Sequence, residues 1–188
     1  MIKVAPSLLA ADFSDLTNEL KAIETADYLH LDIMDGHFVP NLSFGPALIK
    51  SIRNKSELVF DVHLMITNPL KYIEAFAKAG ADMITVHVEC EDNVSDALKL
   101  IKSLGIKCGI VLSPDTPASA AEPYLDDIDM VLVMSVYRDY ISIVLDLNGI
   151  SCVFAPAVID YRSVEYGFYY RSGRGCYVNV WMHSRVIS

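Results

Sequence analysis

The stretch "LVFDVHLMITNPLKYIEAFAKAGADMITVHV", residues 58–88, carries the architecture. Residues 58–64 are a short run rich in β-branched side chains, residues 69–79 repeat their apolar positions with helical period, and residues 83–88 form a second β-branched run. Strand, helix and strand in such quick succession make a βαβ unit, which places two parallel strands in one sheet with the helix outside it. The same alternation extends in both directions. Further strands are predicted at 3–7, 28–32, 107–112 and 130–136, with helices at 14–25, 45–53, 93–104 and 117–125. Ser14 reads as an N-cap, and Pro69 and Pro117 suit a first helical turn.

Two architectures accommodate this rhythm, an open doubly wound sheet and a closed barrel. A doubly wound sheet advertises a glycine-rich phosphate turn after its first strand, and "APSLLAADF" (residues 5–13) has no glycine. A barrel carries its chemistry at strand C-termini, where His30, Asp32 and His63 fall. The reading is therefore α/β, a (β/α)8 TIM barrel.

The 188 residues are 53% hydrophobic, enough for one substantial core, and the net charge is -9. That balance argues against nucleic acid or an anionic membrane surface as partner, while local groups could still hold a small anion. Cys90, Cys108, Cys152 and Cys176 lack CxxC spacing, so reduced thiols in a cytoplasm are expected. No uninterrupted run of about 20 apolar residues occurs, so neither export nor membrane spanning is supported.

A seam falls at Tyr137. Residues 1–136 hold nine Lys and one Arg, whereas 137–188 hold no Lys, five Arg and seven of the ten Tyr. The βα rhythm stops at the same point, although "SIVLDL" and "CVFAPAVI" could be strands. Two segments follow: 1–136, barrel units one to six, and 137–188, an atypical tail.

Chemistry concentrates in "YLHLDIMDGHFVPN", residues 28–41. In a strand, His30, Asp32 and Met34 share one face while Leu29, Leu31 and Ile33 pack on the other. His63, on the next strand, lies within reach of that pair. Two imidazoles and a carboxylate suit zinc, iron, manganese or cobalt; the alternative is a hydrogen-bonded core pair, and with H-x-D a weak motif, spacing alone leans that way. Met34 and Met65 extend the same faces two residues past Asp32 and His63, and Met134 ends the sixth strand, places where methionine is commonly gap-filling core. Ser7 could touch a ligand or cap local backbone. Asp35, Gly36 and His37 read as turn chemistry, and His87 as structural.

In order, "APSLLAADF", "YLHLDIMDGHFVPNLSFGP", "DVHLMITNP", "AGADMITVHVE" and "DMVLVMSV" strongly resemble the ribulose-phosphate 3-epimerase family, over essentially all of residues 1–136. The resemblance implies a (β/α)8 barrel that interconverts D-ribulose 5-phosphate and D-xylulose 5-phosphate through an enediolate. It implies Asp32 as both metal ligand and C3 base, and His30 and His63 as further ligands of one divalent ion, zinc first and iron, manganese or cobalt next. Ser7 and His63 are implied to touch substrate, and Met34, Met65 and Met134 to line the pocket. The partners implied are a small sugar phosphate and, if the chain folds, further copies of itself.

The family's second acid comes from an Asp-Gly-Gly motif after the seventh strand, and its phosphate loop is Gly-Phe-Gly-Gly after the sixth. Neither is present here: "YRDYISIV" stands at the loop's place, and Asp146 and Asp160 have no glycines behind them. A barrel incomplete after the sixth strand, with two open sheet edges, is the expectation, from a shifted reading frame or from genuine divergence. Two alternatives stand beside the leading reading. One is a related enzyme such as allulose 6-phosphate 3-epimerase, and the other is an inactive partial barrel used for binding or assembly.

Overall fold

In a computed structural model, residues 2–134, 142–146 and 151–155 are described, all within one compact unit, Met1–Ala157. The strands are β1 (Ile2–Pro6), β2 (Tyr28–Met34), β3 (Val59–Met65), β4 (Met83–His87), β5 (Lys107–Leu112), β6 (Met130–Met134), β7 (Ser142–Asp146) and β8 (Ser151–Ala155). The first six lie where the β-branched runs predict them. Their order in the sheet is β1-β8-β7-β6-β5-β4-β3-β2. From β2 to β6 every neighbour is parallel. The two ends of the order meet through a parallel bridge between Ser7 and His30, which curls the sheet round on itself.

The βα repeat stops after β6, as the sequence leads one to expect, and among the described residues strands of the tail cover the two sheet edges that this leaves. β7 pairs with β6 and β8, antiparallel to both, and β8 pairs with β1 in parallel, so the gap between β6 and β1 is filled. Reversing one strand departs from an eight-fold parallel barrel. It also moves Asp146, which ends β7, into register with Met130 at the start of β6, the end of the sheet away from the strand C-termini. As a substitute for the missing acid Asp146 is therefore badly placed, and Asp160 lies outside the described residues, as does most of "YRDYISIV".

Among the described residues four α-helices cover the outside: α1 (Leu16–Ala22), α2 (Pro46–Ile52), α3 (Ile73–Ala79) and α4 (Val94–Ser103). Two expected features differ. Asp15 rather than Ser14 occupies the N-cap position of the first helix, without a capping bond from its side chain, while the Ser14 N–H and hydroxyl both donate to Asp12 Oδ1, at 2.8 and 2.6 Å, closing the preceding turn. The helix expected over 117–125 is a 3-10 segment, Ala118–Tyr124, with Pro123 inside it. Pro123 lacks an N–H, and its ring would collide with the carbonyl four residues earlier, so an α-helical turn cannot pass through it.

Strand alternation divides the core. Leu29, Leu31, Ile33, Phe60, Val62, Leu64, Ile84 and Val86 face outward and pack beneath Ile49 and Ile52 of α2, Ile73 and Phe76 of α3, and Ala97, Leu98 and Ile101 of α4. Each such side chain contributes roughly 1.5–3 kcal/mol on burial. A separate inner cluster joins Ala5, Tyr28, Met83, Val111, Met130 and Leu132. It fills the lower barrel and leaves the polar inward residues of β2, β3 and β4 as a layer nearer the strand C-termini. Gly109 of β5 lets the strands approach beside that layer, because a Cβ there would sit 2.7 Å from the Met130 carbonyl oxygen and 3.0 Å from Thr85 Cγ2. Among the described residues no helix is long and apolar enough to cross a membrane, and Cys90 and Cys108 are free thiols.

Candidate metal centre

The register of β2 against β3 pairs His30 with Asp61 and Asp32 with His63. Period two then turns all four side chains into the barrel. One carboxylate oxygen is the focus: Asp32 Oδ1 lies 3.0 Å from His30 Nε2 and 3.0 Å from His63 Nδ1. His30, Asp32 and His63 each present one ligand-type atom, all within 4.8 Å of one another. His30 and His63 are 2% and 1% exposed, whereas Asp32 is 13% exposed, so the carboxylate is the member a molecule in the barrel mouth can reach.

The far side of each imidazole is engaged as well. His30 Nδ1 lies 2.9 Å from Asp61 Oδ2, and Asp61 is fully buried. His63 Nε2 lies 3.0 Å from His87 Nε2, the two rings stack with centroids 5.1 Å apart, and His87 Nδ1 lies 3.0 Å from Glu89 Oε2. Glu89 Oε1 accepts from the Ser113 N–H at 2.9 Å and from the Thr116 hydroxyl. Asp61, His87 and Glu89 were given no part in the site by sequence reasoning. Asp61 stands two residues from the candidate His63, which is the signal that could have raised it, whereas Glu89 stands two residues from His87, which itself reads as structural.

Electrostatics follow from these contacts. Burial works against a charge on His30, but Asp32 and then Asp61 outweigh it and raise its pKa to about 10. Burial pushes Asp32 up, and the charge and hydrogen bonds of His30 and His63 overcome it, holding the carboxyl well below the usual range. Burial lowers His63 to about 4, with the neighbouring His87 and His30 adding to it against the bond from Asp32, so this ring is neutral. Burial would raise Glu89, yet the bonds from His87, Thr116 and the Ser113 N–H bring it down to about 2.

Counting protons tests whether a cation fits. Along Asp32, His63, His87 and Glu89 there are three contacts between nitrogen or oxygen atoms, each needing one proton between its atoms. An imidazole carrying one proton supplies one contact, so one proton on each ring covers two of the three. A cation held by His30, Asp32 and His63 would remove the need for a proton at the first contact, and the two remaining contacts match the two protons. The donor set, two imidazole nitrogens and a carboxylate oxygen, suits a divalent transition metal, and so His30, Asp32 and His63 could hold a metal ion.

Around this group, the Ser7 hydroxyl donates to Asp32 Oδ2 at 2.6 Å and accepts from the Leu9 N–H at 3.3 Å, so it both touches the site and caps the 3-10 turn Leu8–Ala10. Met34 and Met65 are register partners one step beyond Asp32 and His63, and Met134 ends β6 against the inner cluster. The loop after β2 is shaped by Asp35. Its Oδ1 accepts from the His37 and Phe38 N–H groups at 2.8 Å, and its Oδ2 accepts from the Thr67 N–H at 2.9 Å. Gly36 takes φ +75 in that turn, where a side chain would be strained. The loop brings the Phe38 ring to 4.7 Å from His87.

A curled parallel sheet with helices outside and two imidazoles and a carboxylate converging at the strand C-termini defines a TIM-barrel protein with a candidate metal site. The model of the ribulose-phosphate 3 epimerase family matches residues 3–140, and the chain belongs to that family. It is 51% identical over 138 residues to ribulose-phosphate 3-epimerase of Bacillus subtilis, a match covering 72% of this chain and 64% of that protein. Against the enzyme of Rhodobacter capsulatus it is 50% identical over 137 residues, covering 72% and 60%. Against the chloroplastic enzyme of Arabidopsis thaliana it is 47% identical over 139 residues, covering 72% and 50%. The chain thus spans less than two thirds of the length of these relatives. Among solved structures, a mutant tryptophan synthase alpha-subunit from Pyrococcus furiosus aligns with TM-score 0.53 at 17% identity, over 67% of this chain and 62% of that one, a likeness of fold.

Proposed function

We propose that this chain acts as a metal-assisted 3-epimerase on D-ribulose 5-phosphate and D-xylulose 5-phosphate, with Asp32 as the base that takes the C3 proton. The observation that supports it is the placement of Asp32, which is ionised, focused on by two imidazoles and reachable from the barrel mouth, in a chain of this family. His30 Nε2, Asp32 Oδ1 and His63 Nδ1 would hold the ion, zinc first. When bound, the metal supplies polarisation of the substrate's oxygens, which a carboxylate base needs because a proton beside a carbonyl is weakly acidic.

The chain's own groups divide the remaining work. Asp32 Oδ1 faces the imidazoles, so Oδ2 is the oxygen that receives the proton. Ser7 donates to Oδ2 while it is charged, and its hydroxyl turns to accept once Oδ2 carries the proton. His63 and Ser7 border the substrate, and Met34, Met65 and Met134 wall the pocket with apolar surface that excludes water. We place the activity in the cytoplasm, and expect further copies of the chain to assemble with it.

A coupled assay for xylulose 5-phosphate formation from ribulose 5-phosphate, run on zinc-loaded protein, tests the reading. Asp32→Asn abolishes the signal if it is right. Folded, metal-loaded protein that forms no xylulose 5-phosphate and exchanges no C3 hydrogen with solvent overturns it.

A further inference from the structure

The carboxylate of Glu89 does not touch Asp32 or His63, yet the geometry points to it as the residue that selects which nitrogen of His63 faces the cation. We infer that Glu89, acting through His87, is a positioning residue for the metal centre; this rests on the metal-assisted reading above.

The chain of contacts begins at a backbone group that cannot change its role. The Ser113 N–H is only a donor, so Glu89 Oε1, 2.9 Å away, must be an acceptor, and the Thr116 hydroxyl donates to the same atom. With two donors on Oε1 Glu89 is held as the ionised carboxylate, so Oε2 is an acceptor as well and the proton in its 3.0 Å contact with His87 sits on His87 Nδ1. A neutral imidazole protonated at Nδ1 presents a lone pair at Nε2. His87 Nε2 is 3.0 Å from His63 Nε2, so the proton of that contact belongs to His63. His63 protonated at Nε2 presents its lone pair at Nδ1, the nitrogen 3.0 Å from Asp32 Oδ1. Each step follows from donors meeting acceptors, and the order originates in the loop after β5.

Histidines that bind metals are commonly held in one tautomer by a carboxylate on the other nitrogen. For His30 that carboxylate is Asp61, in direct contact. For His63 the carboxylate stands one imidazole further out. Glu89 follows β4 and its anchors Ser113 and Thr116 follow β5, so a shift of either loop reaches the metal position without any contact to it.

Glu89→Gln is the discriminating change because it alters almost no volume. The amide oxygen must stay with the Ser113 N–H, which turns the NH2 group toward His87 Nδ1. His87 must then accept at Nδ1 and donate from Nε2, and His63 must accept at Nε2 and carry its proton on Nδ1, where the cation belongs. Among the described residues the Ser113 hydroxyl, 3.3 Å from His87 Nδ1, is the other group that could take a proton there, so the same change is also made on Ser113→Ala.

The experiment uses the full chain and Zn2+, with affinity read by competition against a chromophoric chelator and tautomers read from imidazole 15N shifts. Zinc-loaded wild type is expected to show His63 protonated at Nε2 and His87 at Nδ1. Glu89→Gln is expected to bind zinc 10–100-fold more weakly, with a larger loss on Ser113→Ala and partial recovery in Glu89→Asp. Zinc affinity within twofold of wild type in the folded Gln variant overturns the inference alone, and wild type that binds no zinc overturns the metal reading beneath it. Should the variant not fold, the wild-type spectrum decides: a proton on His87 Nε2 in the zinc-loaded protein overturns the inference.

Discussion

Replacing Asp61 by Asn tests the direct half of the same logic with a magnitude that can be worked in advance. Asp61 is fully buried, its Oδ2 lies 2.9 Å from His30 Nδ1, and its Oδ1 is buried without a hydrogen-bond partner among the described residues. The amide has two orientations. With its oxygen toward His30 the tautomer is kept, and the NH2 group falls where Oδ1 was, a buried donor with nothing described to accept from it. The wild-type oxygen there has no described partner either, so the added cost comes from losing the carboxylate charge beside the cationic His30 ring, roughly 1–3 kcal/mol of folding stability. With its NH2 toward His30 the burial cost falls, but Nδ1 must accept, and the imidazole proton moves to Nε2, the nitrogen facing Asp32. That costs about 10–100-fold in metal affinity, or about 1.4–2.7 kcal/mol. Because the two routes are close in energy, the loss must surface in one observable or the other. Urea unfolding of the metal-free chain and a zinc competition titration read them separately. An Asp61→Asn chain with unchanged unfolding free energy and zinc affinity within twofold of wild type would refute the reasoning.

Acid sensitivity follows from Glu89 and Asp35. Burial raises each, and bonds from His87, Thr116 and Ser113 to Glu89, and from Thr67, His37 and Phe38 to Asp35, bring both to about 2. A depressed carboxylate stabilises the fold above its ordinary pKa and loses that contribution as pH falls, so stability should decline from about pH 4.5 toward pH 2. Glu89 should supply about 1–2 kcal/mol of this after allowance for partial exposure; urea midpoints of Glu89→Gln that fall over that window as steeply as wild type would count against it. Gly109→Ala drives a Cβ to 2.7 Å from the Met130 carbonyl oxygen between two paired strands. It should cost about 1–3 kcal/mol, a melting-temperature loss of roughly 2–10 °C, and circular dichroism showing no shift would contradict the packing described.

Much of the fold was legible because its signals are local. Six strands announced themselves as β-branched runs, and the shared face of His30 and Asp32 followed from period two alone. Other features depend on contacts distant in sequence. Strand β3 is buried at six of its seven positions, so its sequence lacks polar-apolar alternation and nothing marks Asp61 as facing His30; only the register with β2 does. His87 reads as an ordinary core histidine until β4 is set against β3 and its ring stacks on His63. Glu89 lies beyond the end of its strand, and its meaning comes from Ser113 and Thr116, more than twenty residues on. Pro123 was visible throughout, and its veto on an α-helix was the local rule left unapplied.

The seam bears on what the site can complete. The family match ends at residue 140, close to where the Lys-rich composition gives way, and β7 then runs opposite to the strands before it. We propose that residues 137–188 depart from the family through a shifted reading frame or divergence; translating the gene's other two frames beyond codon 136 separates the two, since an Asp-Gly-Gly should reappear in one of them if the frame moved. Inversion at C3 needs an acid on the face opposite Asp32, and Asp146 sits in register at the wrong end of the sheet. On the function proposed above, Asp32 would still remove and return the proton on its own face, with Ser7 holding Oδ2 between the two events. Ribulose 5-phosphate incubated with zinc-loaded protein in deuterium oxide should therefore gain deuterium at C3 faster than xylulose 5-phosphate accumulates. Equal rates of the two would mean that the second acid is present after all, supplied from outside the matched segment, and that Asp32 does not work alone.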